Sequence, residues 1–292
     1  MIDYHRLMAW EFTETVHHYR AEDTMLYALA LGVGRDPVDS RQLRFVEDSG
    51  EGRLQALPTM AVVLGFPGSW MADSGTGIDF AQTVHGEEAV EWHAVLPPQG
   101  CVRSSHRVLS VVDKGPGRGA LIRYEKRLID ADSGQHYATV VHTSFARADG
   151  GFATPAVPGD APGPTPTPVP EGEPETTIDL PTLPQQALLY RLLADRNPLH
   201  SDPVVAWQAG YPQPILHGLC TWGMAGHALL AHYGQADPRR MRSLYARFSA
   251  PVIPGETLRL ESWRRDGAVR FRMRAVERDR TVLDHGLARI DT

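Results

Sequence analysis

Between Tyr190 and Pro203 the chain reads Tyr-Arg-Leu-Leu-Ala-Asp-Arg-Asn-Pro-Leu-His-Ser-Asp-Pro, which sets a carboxylate (Asp195), an amide (Asn197) and an imidazole (His200) close together. An imidazole exchanges protons near neutral pH and a neighbouring carboxylate can share the task, so the grouping is suited to general acid–base chemistry. Downstream, Pro214-Ile-Leu-His-Gly-Leu-Cys-Thr221 places Gly218 at the opening of a helix. A backbone N–H there, at the positive end of the helix dipole, can hold an oxygen that gains negative charge. Alone, an Asp or a His more often ends a helix or fills a core position; the grouping is what turns the reading toward a site.

The flanking elements must position these groups. Gln185 to Ala194 is amphipathic and predicts a helix with Leu188, Leu189, Leu192 and Leu193 inward. Pro198 disfavours helical geometry at Asn197, so that helix ends near Asp195. Asp202 before Pro203 has the form of an N-cap with proline at the first helical position, predicting a second helix that stops at Gly210. His200 is thereby held between two helix ends.

Asp195-x-Asn197-Pro198-Leu199-His200-x-Asp202-Pro203, with Pro214 to Thr221, resembles the signature of the R-specific (type 2) enoyl-CoA hydratases, the MaoC-like family of hot-dog proteins. Leu26–Gly34, Leu57–Gly65, His85-Gly86-Glu87, Asp113-Lys114-Gly115 and Ala246–Gly255 resemble successive segments of its two-domain members. The resemblance implies an α+β double hot-dog, two tandem repeats, each an antiparallel sheet wrapped around a long helix. It implies hydration of trans-2-enoyl-CoA to (3R)-3-hydroxyacyl-CoA, with no cofactor beyond the coenzyme A of the acyl-CoA substrate. Asp195 can take a proton from water as it attacks C3, His200 can deliver one to C2, Asn197 orients its neighbours and the Gly218 N–H holds the thioester oxygen. Both Asp195 and His200 can touch one water, so the division of roles stays open. Glu47, Arg247 and Phe248 are the substrate-binding candidates; Glu47 resembles a family position where an acidic residue supports activity, and a loop carboxylate is its other reading. A homodimer is a family expectation.

Composition is compatible with this. A chain of 292 residues, 42% hydrophobic, suffices for two domains. Residues 151–184 hold ten of the 23 prolines and predict an extended connector between an N-terminal repeat (1–150) and a C-terminal repeat (185–292). Leu96-Pro-Pro-Gln-Gly and Val252-Ile-Pro-Gly open similar strand regions on either side, which suggests an internal duplication. Strands are predicted at Val102–Val112, Gly119–Asp130 and His136–Arg147, and again at Glu256–Trp263, Ala268–Arg278 and Thr281–Asp291, with a helix over Gly218–Tyr233. Leu57–Gly65 sits where the matching N-terminal helix would begin. That repeat has no DxNPxH sequence and cannot supply the same chemistry.

The net charge of −6 argues against nucleic acid as a partner. Residues 239–292 nonetheless carry 13 Arg, no Lys and 7 acidic residues. Some of these arginines suit the phosphates of coenzyme A, while Arg270, Arg272 and Arg274 alternate with apolar residues as the wet face of a strand. Cys101 and Cys220 form no CxxC pair, and neither a signal nor a membrane-spanning run is apparent; a cytoplasmic enzyme is expected. The histidines lie outside metal-ligand spacings, so no metal is expected. Three rival readings remain: a 3-hydroxyacyl-carrier-protein dehydratase, a non-catalytic acyl-CoA-binding protein, and a thioesterase using Cys220 in the first turn of its helix.

Overall fold

The structure, a computed structural model, describes residues 2–50, 53–193 and 195–291. Its strands are β1 (Thr15–Tyr19), β2 (Thr83–Trp92), β3 (Gly100–Asp113), β4 (Ala120–Asp130), β5 (His136–Ala146), β6 (Thr176–Pro181), β7 (Met241–Phe248), β8 (Thr257–Arg265), β9 (Ala268–Ala275) and β10 (Arg280–Ile290). They form one antiparallel sheet in the order β1-β3-β4-β5-β2-β7-β10-β9-β8-β6. Five strands come from each half of the chain, and the halves join where β2 runs antiparallel to β7, with Glu87 opposite Arg247. The double hot-dog expected from the sequence is this pair of half-sheets.

The helices are α1 (Tyr4–Met8), α2 (Ala21–Ala30), α3 (Ser40–Leu43), α4 (Gln186–Tyr190), α5 (Pro203–Gln208) and α6 (Gly218–Tyr233). The long helix α6 packs on β7 and β10, and its small residues are what allow the approach. A Cβ on Gly226 would come 2.5 Å from Thr59 Cγ2 and 3.0 Å from Leu244 Cδ2. Tyr27, Trp92, Trp222, Leu244 and Phe271 belong to one core shared by both halves, each buried ring or branched side chain contributing roughly 1.5–3 kcal/mol. Along β9, Val269, Phe271, Met273 and Ala275 are buried, and Arg270, Arg272 and Arg274 take the opposite face, as alternation predicted.

Four expectations need correction. First, no long helix fills the N-terminal half: Leu57–Gly65 contains only a 3-10 turn, Pro58–Val62, and the chain then bends at Gly65 with φ +61. Pro67 and Gly68 follow at once and oppose helix continuation. In place of further turns, buried Lys126 reaches over from β4 and donates to the carbonyls of Ala61, Val62 and Leu64 at 2.9, 2.9 and 2.7 Å. Burial pushes its amine down to about 7 against the pull of Glu88, but three carbonyl acceptors use all three protons of an ammonium, and the charged form accounts for the geometry. Second, α4 covers only Gln186–Tyr190 and buries Gln186, Ala187 and Tyr190. Leu188 and Leu192 are about half exposed, because so short a helix follows its packing against α2 instead of an extended apolar stripe; Ala194 lies outside the described residues. Third, the connector is not loose throughout. Asp160 accepts from Tyr4 Oη at 3.0 Å and from the Val111 amide at 2.8 Å, and residues 176–181 add β6 to the edge of the C-terminal sheet. Fourth, β1, β2 and β7 were not among the predicted strands. Among the described residues no helix is long and apolar enough to cross a membrane.

Candidate active site

The motif folds largely as its punctuation dictates. Pro198–His200 is a single 3-10 turn, and the Asn197 side chain caps it by accepting from the Leu199 amide at 3.0 Å. The Asp202 carboxylate accepts from the Val204 and Val205 amides, and α5 runs from Pro203 to Gln208 before Gly210 turns the chain at φ +88. His200, with its backbone pinned between these ends, is buried.

Two bonds set the orientation of the pair. The Asn197 amide donates to Asp195 Oδ1 at 2.9 Å, leaving Oδ2 toward His200. His200 Nδ1 lies 2.8 Å from the Ile215 carbonyl, which can only accept, so Nδ1 carries the proton and Nε2 presents a lone pair. Nε2 sits 3.9 Å from Asp195 Oδ2. Burial holds His200 below the usual histidine range, opposed by the Ile215 carbonyl and the Asp195 charge; the resting ring is neutral.

His217 stacks on His200 with ring centroids 3.7 Å apart and donates from Nε2 to the Asp195 carbonyl at 3.1 Å. It therefore fixes the turn that carries the carboxylate. Burial pulls His217 down to about 3, and a proton on the stacked His200 would add to the effect. Immediately after it α6 begins, and Gly218 opens the helix, where the first amides have no partner within the helix. A Cβ at this position would meet the Phe248 ring at 3.0 Å, so glycine is what fits between that ring and the open amide.

A cavity of about 440 Å³ connects these groups. Asp195, Asn197, His200, His217, Gly218 and Phe248 all line it, and so do Val62, Val63 and Phe66 of the N-terminal half. The cavity thus runs from the motif to the short turn of the N-terminal half.

The remaining candidates fall elsewhere. Arg247 is tied to Glu87 across the seam at 2.7 Å and does not line the cavity. Glu47 accepts from the Ser49 amide at 2.5 Å and does not line the cavity. Cys220 is fully buried, with Gln186 Nε2 at 3.6 Å and the Ala30 carbonyl at 3.5 Å, and burial pushes its thiol up to about 12 despite the Gln186 bond. A thiol so placed is no nucleophile at neutral pH, which removes the support for the thioesterase reading.

Sequence reasoning missed a second polar group on the same cavity. His85 and His142 line it, and both bond the fully buried Glu88 Oε2, at 3.0 and 2.6 Å. They stand 57 residues apart in the sequence, on β2 and β5, and only the pairing of Glu88 with His142 brings them together. Linear spacing likewise could not reveal that potential ligand atoms of Asp195, His200 and His217, and of His85, Glu88 and His142, each fall within 4.8 Å of one another.

Comparison with known proteins accords with this geometry. Residues 17–148 match the MFE-2 hydratase 2 N-terminal domain and residues 166–285 the MaoC like domain. The chain is 40% identical over 271 residues to 3-hydroxyacyl-thioester dehydratase Y of Mycobacterium tuberculosis, covering 90% of each protein. It is 36% identical to the peroxisomal enoyl-CoA hydratase 2 of Arabidopsis thaliana, covering 95% of this chain and 92% of that one. A crystal structure of a MaoC-like dehydratase from Phytophthora capsici superposes with a TM-score of 0.85 at 30% identity, over 99% of this chain and 98% of that one. The chain therefore belongs to the MaoC-like, hydratase 2 family of double hot-dog proteins.

Proposed function

We propose that this protein is a hydro-lyase that adds water reversibly to trans-2-enoyl-CoA, giving (3R)-3-hydroxyacyl-CoA, at Asp195, His200 and Gly218. The observation that carries the reading is the 3.9 Å gap between His200 Nε2 and Asp195 Oδ2. Both atoms are acceptors and the gap is too long for a direct hydrogen bond, so one water donating a hydrogen to each fits between them with its lone pair free.

From that arrangement the steps follow. Water oxygen bonds to C3, the C2–C3 π pair moves toward the thioester, and the oxygen that gains charge is held by the Gly218 amide at the helix start. The neutral tautomer supports His200 Nε2 as the acceptor of the water proton, the task the sequence reading gave to Asp195 while leaving the division open. An imidazolium formed there is stabilised by Asp195 and returns the proton to C2, which balances the addition. Asn197 and His217 position Asp195 and do not touch the reacting atoms. All these groups come from the chain itself, so the reading requires no cofactor, and coenzyme A enters as part of the substrate.

The cavity's extension into the N-terminal half supports acyl chains longer or bulkier than crotonyl. Two free thiols support a reducing compartment such as the cytosol. A homodimer remains a family expectation, read by gel filtration. The test is spectrophotometric: purified protein should consume crotonyl-CoA with loss of the enoyl-thioester absorbance. Comparison with dehydration of a carrier-protein-bound 3-hydroxyacyl chain separates coenzyme A from the carrier protein as the handle, and no reaction in either assay would leave an acyl-CoA-binding protein.

A further inference from the structure

Part of the inner face of the N-terminal half-sheet is polar, beside the buried apolar Val90, Leu128 and Val140 of the same face. Glu88 on β2 and His142 and Tyr124 on neighbouring β5 and β4 stand in register across it. Glu88 is fully buried, which costs free energy unless its charge is bonded. His142 Nδ1 at 2.6 Å and His85 Nε2 at 3.0 Å supply the bonds. His85 Nε2 also lies 3.1 Å from the Glu87 carbonyl, a pure acceptor, so that nitrogen carries a proton. Burial alone would raise the Glu88 pKa, but the electrostatic and hydrogen-bonding interactions with His142 and His85 outweigh it and hold it down to about 2.

In its neutral form each ring spends one N–H on Glu88 and keeps its other nitrogen, Nδ1 of His85 and Nε2 of His142, as an acceptor. Both rings line the cavity that holds the Asp195–His200 pair. Phe248 links the two regions: its ring lies against Gly218, and its centroid is 4.7 Å from that of His85. An acyl chain whose thioester oxygen sits at Gly218 can extend along this cavity toward His85 and His142.

We infer that His85, Glu88 and His142 form a distal subsite that accepts a hydrogen bond from the acyl chain, so that the preferred substrates are enoyl thioesters carrying a hydroxyl group toward the tail. This rests on the hydratase reading for the placement of the thioester. Glu88 acts through the two rings, fixing which nitrogen each turns to the ligand. A plain alkyl tail would leave these acceptors desolvated and unpaired, and discrimination comes from that loss.

The experiment uses trans-2-enoyl-CoAs of medium length in pairs, with and without a terminal hydroxyl. Their kcat/KM ratio is measured in the wild type, His142→Phe and His85→Phe, and their equilibrium binding ratio in an Asp195→Asn background. A ratio within one protein is insensitive to the fraction folded. In the wild type the hydroxyl should raise kcat/KM and affinity about tenfold for at least one length, and in either Phe variant the ratio should fall to about one. Ratios near one for every length in the wild type would overturn the subsite, as would a stoichiometric metal ion held by these side chains, since it would occupy the nitrogens. Failure of the wild type to hydrate crotonyl-CoA would instead count against the hydratase reading, with the binding ratio still deciding the subsite.

Discussion

Arg247 donates from Nε and Nη2 to Glu87 Oε1 at 3.0 and 2.7 Å, directly across the seam that joins the half-sheets. The guanidinium is partly exposed, so solvent screens the pair and its worth is modest. Arg247→Ala should lower stability by about 1 kcal/mol or less, read as a small drop in urea midpoint, with KM for enoyl-CoA changed by less than about twofold. A large rise in KM would return Arg247 to the substrate site.

Lys126 tests the account of the missing helix. Lys126→Met leaves three buried carbonyls, those of Ala61, Val62 and Leu64, without their donor. At roughly 1–3 kcal/mol for each unsatisfied group, a loss of at least about 3 kcal/mol in denaturant unfolding is expected. An unchanged midpoint would mean that the turn satisfies its own carbonyls.

Much of the local geometry of the candidate site was legible because its signals are local. Asp202-Pro203 fixes where α5 begins, Pro198 forces the break that exposes Asp195, and Gly218 follows from the need to start α6 beside Phe248. What was not legible depends on pairing across the sheet. His142 lies in Thr139-Val-Val-His-Thr143, where nothing in the spacing sets it against Glu88, and β2, β6 and β7 are recognisable only through the partners they find. The ion pair of Arg247 was not legible for the same reason: its acid lies 160 residues earlier in the chain. Leu188 and Leu192 misled because periodicity gives an apolar face but not whether a five-residue helix has anything to bury it against.

The histidine pair predicts a pH dependence of stability. His217 is buried, and its folded pKa of about 3 lies below an unfolded value of about 6.5. Above the unfolded value both states are neutral and the residue contributes no slope. As pH falls from about 6.5 toward 3, the unfolded chain gains a proton that the native state refuses, so stability declines. Between pH 7 and pH 5 that amounts to about 2 kcal/mol from His217, and the urea midpoint should drop accordingly. A flat profile, or the same slope in a folded His217→Gln variant, would contradict the neutral stack.

Gly218→Ala should lower kcat by about tenfold or more with a smaller effect on stability, because the Phe248 ring must yield a few tenths of an ångström at the amide that holds the thioester oxygen. Steady-state kinetics with crotonyl-CoA, alongside a thermal melt, would separate the two effects. Unchanged kcat would take the oxygen away from this helix start.

Asp195 and His200 carry the central claim, and the direct measurement is enoyl-CoA hydration with the product's configuration determined, for the wild type, Asp195→Asn and His200→Gln. The wild type should yield the (3R)-hydroxyacyl thioester, and each variant should lose about 100- to 10,000-fold in kcat, with the double variant little worse than either single one. A (3S) product, or full activity in both single variants, would contradict the account.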